Sequence, residues 1–268
     1  MNYRVIQPTA ALAHLVRSFW ILEGSGPYSH FSLPDVCPEL IFHFKGRFDE
    51  PSQNGEKIPS FTAGLHAQTA NTKSFHTKDD FGILGAYLYP HAIPVLFDNL
   101  ANEVTGQMID IDTLAGADGR TAEDAIANAA DNESRIRLLE TFIEKRLSEK
   151  EEATLPVFQS IQLIIEKRGL VRIADLSSPA CLSSRQFIRQ FTRYAGFAPK
   201  LFSRIVRFQA ATEFYGSSPT PLAEVAYACG YYDQTHFAKD FREFSGMPPK
   251  NYFSGKSAVT VWKDANQK

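Results

Sequence analysis

Two stretches in the second half of the chain, LSSPACLSSRQFIRQFTRYAG and VAYACGYYDQTHFAKDFREFSG, repeat one unit and hold the side chains best placed to do chemistry. In each, two phenylalanines stand four residues apart, Phe187 with Phe191 and Phe237 with Phe241, so one face of a helix turns inward. The opposite faces carry Arg185, Ile188, Arg189 and Arg193 in the first copy and Gln234, Thr235, His236, Lys239 and Arg242 in the second. An apolar face that holds a helix firmly and a polar, mostly basic face turned outward suit the major groove of a duplex. The chemistry this implies is recognition of a polyanion.

Charge agrees with that reading. Residues 1–152 hold 13 Lys and Arg against 22 Asp and Glu, a balance of −9, whereas residues 153–268 hold 15 against 8, a balance of +7. One part avoids polyanions and the other attracts them. Charge alone does not choose DNA over RNA or a membrane; the geometry of the repeated unit does.

Other chemistries find less support. Cys37, Cys181 and Cys229 are odd in number, far apart and without C-x-x-C spacing, which argues against a disulfide framework or a cysteine zinc site. Cys181 and Cys229, near the turns of the two units, read as buried structural thiols. His14, His30, His43, His66, His76 and His91 include no H-x-H pair followed closely by Glu, and the pair Glu39 and His43 is too weak to name as a site. Asp175, Glu224 and Asp240 read as caps or local ion partners, so no catalytic, metal or cofactor residues are expected. Tyr87, Tyr89, Phe19, Trp20 and Phe97 suit a small-molecule cavity or ordinary core packing, and both readings stay open.

The elements that position these residues fall into two classes within 268 residues. From Tyr3 to about Leu100, short pieces such as LVRSFWILEG, ELIFHFKG, SFTAG, SFHTK and FGILGAYLY are bounded by Gly and Pro and read as strands. They predict a mainly antiparallel β-barrel or jelly roll over 1–115. In residues 116–152 the stripe Ile136, Leu139, Phe142, Ile143 and Leu147 marks one helix, a linker or dimerisation helix, whose apolar face either pairs two subunits or packs on its own barrel. Residues 153–255 read as short helices in a double helix-turn-helix, and 256–268 as a tail. The fold class expected is therefore two-domain α+β, without a leader or a membrane span, soluble and cytoplasmic.

The second unit and its surroundings, LAEVAYACGYYDQTHFAKDFREFSGMPPKNYF, with SSRQFIRQFTRYAGFAPKLFSRIVRFQAA, resemble the AraC/XylS family of bacterial transcription regulators over about 100 residues. The resemblance implies a seven-helix DNA-binding domain in which a long helix, roughly Lys200 to Tyr215, holds two helix-turn-helix units apart. By position in the family's motif, Arg185, Ile188 and Arg189 face bases in the first unit and Gln234, Thr235, His236 and Lys239 in the second. Arginine binds guanine edges bidentately, glutamine binds adenine, and Ile188 meets a thymine methyl. Arg193, Arg204, Arg207, Arg242 and Lys250 suit phosphate contacts or helix ends. The first unit departs from the pattern: Ser177 replaces a small residue, Pro179 follows, and Cys181 takes the turn-glycine position.

VRSFWILEG, LPDVCPELIFHF and ILGAYLYPHAIPVLF resemble the N-terminal domains that precede such DNA-binding domains. In better-known relatives that region is a cupin-like barrel that binds an effector and supports dimerisation. The implied partners are double-stranded DNA, RNA polymerase, a small effector and a second copy of the chain. A barrel enzyme fused to a DNA-binding domain, or a ligand-free interaction domain in the N-terminal half, are the alternatives.

Overall fold

Short runs of β-branched and aromatic residues between glycines and prolines form ten strands in the computed structural model, which describes residues 1–51, 57–148, 156–177, 182–215 and 220–254. They are β1 (Asn2–Ile6), β2 (Val16–Gly24), β3 (Tyr28–Ser32), β4 (Glu39–Lys45), β5 (Asp49–Pro51), β6 (Lys57–Pro59), β7 (Ala63–His66), β8 (Lys73–Thr77), β9 (Phe81–Leu88) and β10 (Met108–Asp110). Two antiparallel sheets result, one in the order β1-β2-β9-β4-β7-β10 and one in the order β3-β8-β5-β6. Both stay open.

The expected barrel, jelly roll or cupin-like closure is thus not what the N-terminal half builds. Period-two alternation sends Phe19, Ile21, Leu40, Phe42, Leu84 and Ala86 to one face of the larger sheet, where helices bury them. Trp20, Leu22 and Ile83 point the other way and pack with Phe48, Phe75 and Phe81. The helices that cover the first face follow α1 (Ala92–Leu96) and α2 (Ala101–Val104) and are α3 (Ile111–Asn128) and α4 (Asn132–Ser148). A helical layer does the work that strand closure would have done.

The α4 stripe is therefore spent within the chain. Ile136, Leu139, Phe142 and Ile143 are buried in the same cluster as the sheet, and Phe142 meets Phe42 edge-on with ring centroids 6.4 Å apart. Each such side chain contributes roughly 1.5–3 kcal/mol when fully buried. Helix α3 escapes a periodicity reading because its core contacts, Ile111, Leu114, Ala122 and Ile126, are sparse and Gly116 kinks it at φ 57°. Asp110 starts it by accepting a hydrogen bond from the Asp112 amide at 2.8 Å.

Seven helices follow: α5 (Pro156–Glu166), α6 (Ile173–Ser177), α7 (Ser184–Ala195), α8 (Pro199–Thr212), α9 (Leu222–Ala228), α10 (Gln234–Ser245) and α11 (Pro249–Phe253). Their core admits Val36 and Cys37 from the N-terminal half, and the His91 ring stacks on Phe158 at 4.7 Å. Gly196 ends α7 in the left-handed region at φ 81°, and an added Cβ there would collide with Gln68 Nε2 and stand 2.6 Å from Thr105 Oγ1. Gly196→Ala is expected to cost about 1–3 kcal/mol from backbone strain plus that collision. A urea melt checks this, and an unchanged midpoint would show that the contact between halves yields freely.

Candidate nucleic-acid interface

The local sequence of each unit explains how its second helix is presented. Ser183 caps α7 in a reciprocal box with Gln186, and Asp233 caps α10 by accepting from the His236 amide at 2.7 Å. Gly196 and Gly246 stop the two helices, both with positive φ. Gly230 makes the turn from α9 into α10 at φ 71°. Ser177 is the last residue of α6, while Pro179 and Cys181 lie outside the described residues, as do the tail and the charged run at 150–152.

Inward, the paired phenylalanines do what their spacing requires. Phe187 and Phe191 lie 5.7 Å apart, with Phe191 edge-on to Phe202 of α8 at 5.2 Å. Phe237 and Phe241 lie 5.5 Å apart, with Phe208 of α8 at 5.1 Å from Phe241. One helix therefore anchors both units through two phenylalanines six residues apart. Cys229 is buried, and that burial pushes its thiol up to about 11.

Outward, Arg185, Ile188 and Arg189 on α7 are exposed, as are Gln234, Thr235, His236 and Lys239 on α10. Ile188 is an apolar side chain left 46% open. His236 reaches back toward Asp240, with Nε2 3.9 Å from Oδ1. Arg193, Arg242 and Lys250 are exposed at helix ends.

Arg204 and Arg207 stand apart from that set. Arg204 forks onto Asp240, with contacts of 2.8 and 3.2 Å, and adds Glu243 at 2.6 Å. Hydrogen bonding to Asp240 raises the guanidinium's pKa, so it stays charged. Arg207 lies over the Tyr231 ring at 5.4 Å with its Nε enclosed. Both cations are engaged inside the domain. Tyr232, 94% exposed just before the α10 cap, belongs to the same surface and was not picked out from the sequence. The Tyr-Tyr pair offered a signal, since only one of two successive residues at a turn can enter the core.

The N-terminal half grips both outward-facing helices at their carboxyl ends. Thr105 Oγ1, whose nearer acceptor is the Ala101 carbonyl at 2.9 Å, also lies 3.2 Å from the Gly196 carbonyl, and Thr72 Oγ1 donates to the Phe244 carbonyl at 2.9 Å. The amino-terminal turns, with the polar faces, remain open to solvent.

Residues 176–255 match the family model described as a helix-turn-helix domain. The probable transcriptional regulator LumQ of Photobacterium leiognathi is 33% identical over 82 residues, covering 31% of this chain and 33% of that protein. The transcriptional regulator GbdR of Pseudomonas aeruginosa is 31% identical over 104 residues, 38% of this chain and 28% of that one. The helix-turn-helix match takes in the end of α6 and all of α7 to α11. The chain spans about a third or less of the length of these two curated relatives.

Ahead of the helix-turn-helix match, residues 4–110 match a domain of unknown function (DUF6597). Among solved structures, ToxT from Vibrio cholerae aligns over 97% of this chain and 100% of its own, at 10% identity and a TM-score of 0.49. LumQ and GbdR are both described as transcriptional regulators. Among the described residues no helix is long and apolar enough to cross a membrane.

Proposed function

We propose that this chain binds double-stranded DNA sequence-specifically to regulate transcription, with α7 and α10 entering successive major grooves about 34 Å apart. The observation that carries the reading is the pair of capped helices, anchored on one spine by buried phenylalanines, whose polar faces are left uncovered. Arg185, Ile188 and Arg189, with Gln234, Thr235, His236 and Lys239, face bases; Arg193, Arg242 and Lys250 meet phosphates. Arg204 and Arg207 are left out of the phosphate set because their guanidinium groups are engaged within the domain. A small effector acts through residues 1–115. Pairing of two chains and contact with RNA polymerase extend the reading on the strength of the resemblance.

The test is a genomic-fragment selection with the full chain, followed by affinity measurements over a salt series. Arg189→Ala is expected to lose about 1–3 kcal/mol of discrimination at one base step. Arg242→Ala weakens all duplexes alike and lowers the salt slope by about 0.9. Equal, weak binding to every fragment would remove the regulator reading, and unchanged base preferences in Arg189→Ala would remove α7 from the groove.

A further inference from the structure

The face of the six-stranded sheet that α3 and α4 leave uncovered looks across a cleft toward α5 and α8. Its volume is about 620 Å³, within the range of small-molecule sites. One line of cross-strand partners runs along that face. Ser18 stands opposite Tyr87, Tyr87 opposite Glu39, Glu39 opposite His66, and His66 opposite Met108. Strand alternation keeps them on one side, so phenol, carboxylate and imidazole are neighbours, and all three line the cleft. Two residues further along β9, Gly85 leaves room for the Trp20 indole, which a Cβ at that position would strike. A bulge between Val16 and Ser18 interrupts the β2–β9 register beside Arg17, whose guanidinium stands 5.2 Å from the centre of the Tyr87 ring.

The polar groups of this cleft are not settled by the protein itself. Among the described residues no hydrogen bond or salt bridge reaches the Glu39 carboxyl, and burial, with Asp35 adding to it, pushes its pKa up to about 8. His66 is 6% exposed, and its Nε2 has no hydrogen-bond partner among the described residues. Burial holds that imidazole down to about 4, which leaves it neutral. Of the cations nearby, Arg168 pairs with Glu213, and Arg17 donates to the Cys37 sulfur at 3.6 Å with the Asp35 charge close by. The lining as a whole has four carboxyl groups against two guanidiniums. A carboxyl between aromatic rings, beside a neutral acceptor and without its own cation, has the makings of a receptor for one.

We propose that the cleft binds a small organic amine, its ammonium held by the Glu39 carboxylate and His66 Nε2 and its carbon frame packed on Trp20 and Tyr87. The opposite wall is α8, through Val206, Gln209, Ala210 and Glu213. That is the helix on which both DNA-facing units are anchored, so an occupant touches the frame that sets their spacing. This coupling rests on the effector reading proposed above, whereas binding itself does not.

The experiment is calorimetric titration of the full chain with benzylamine, cyclohexylamine and butylamine, each paired with the alcohol and carboxylate of the same shape. At least one amine is expected to bind saturably, at least about tenfold tighter than its paired alcohol and carboxylate. Glu39→Gln, which puts a neutral amide in the space of the protonated carboxyl and should melt no lower than the parent, is expected to weaken that amine by at least about tenfold. His66→Phe, filling the same space without the acceptor, should weaken it by a smaller factor. Amines that bind no better than their alcohols, or as well to Glu39→Gln as to the parent, would overturn the proposal. Operator binding on the same preparations separates the two readings: operator binding without amine selectivity defeats this inference alone, and the reverse defeats the proposed function alone.

Discussion

Arg204→Ala is expected to lower the unfolding free energy by about 2–3 kcal/mol while leaving the salt dependence of DNA binding unchanged. Asp240 has a side chain only 3% exposed, and Arg204 supplies the two contacts that neutralise it. Removing the arginine strands a buried carboxylate. Enclosed pairs broken this way cost about 3–5 kcal/mol, and the 22% exposure of Arg204 reduces the figure because solvent screens one side. Arg204→Met with Asp240→Leu should recover most of the loss, since neither charge is then left alone. Urea melts of the three variants check the first half, and a salt series on a selected operator checks the second. A normal melt with a shallower salt slope would return Arg204 to the DNA backbone.

The second large effect is a stability profile limited on both sides of neutrality by the inner face of the larger sheet. Burial holds His43 and His66 down to about 4 from an ordinary 6.5. The folded state therefore binds fewer protons than the unfolded one in that window, and stability rises with pH from about 4 to 6.5. Glu39 works in the opposite sense. Its folded value of about 8 lies above the ordinary 4.5, so the folded state keeps a proton that the unfolded chain has released, and stability falls as pH climbs toward 8. The full shift corresponds to an upper bound of about 5 kcal/mol, and access to the cleft lowers it. Denaturant melts from pH 6.5 to 9 should show a decline in the parent that Glu39→Gln abolishes. A flat parent profile over that range would mean that water or a counter-ion already satisfies the carboxylate.

The C-terminal half was legible in the sequence because its signals are local. Phe187, Phe191, Phe237 and Phe241 state a helical face by spacing alone, and Ser183, Asp233, Gly196 and Gly246 mark the ends with residues chosen for their backbone chemistry. What escaped there was pairing across helices: nothing in the spacing of Arg204 shows that it meets Asp240, 36 residues on. In the N-terminal half the strands were legible and their closure was not. Consecutive apolar residues such as Phe19 to Leu22 say that a strand has two apolar faces but not whether a second sheet or a helical layer covers each, and α3 hid its role behind a kink and a sparse core face. The aromatic residues divided in a way composition cannot express: Trp20, Tyr87 and Tyr89 line the cleft, whereas Phe19 and Phe97 pack on the helical side. Glu39 and His66 became neighbours only through the pairing of β4 with β7, a contact between residues that no short motif connects.

The hydroxyls of Thr72 and Thr105 bear on how such a chain can change over generations. A domain joined by a slack tether can be traded for another of any shape, since nothing but reach is demanded of it. Here a replacement for the first half would meet the Phe244 and Gly196 carbonyls, which Thr72 and Thr105 now approach. A half that lacks those hydroxyls hands the two carbonyls to water, at a cost of about 0.5–1.5 kcal/mol for each hydrogen bond lost. Change in what the chain responds to is then easier to make inside the cleft, one side chain at a time, than by exchange of the domain that lines it.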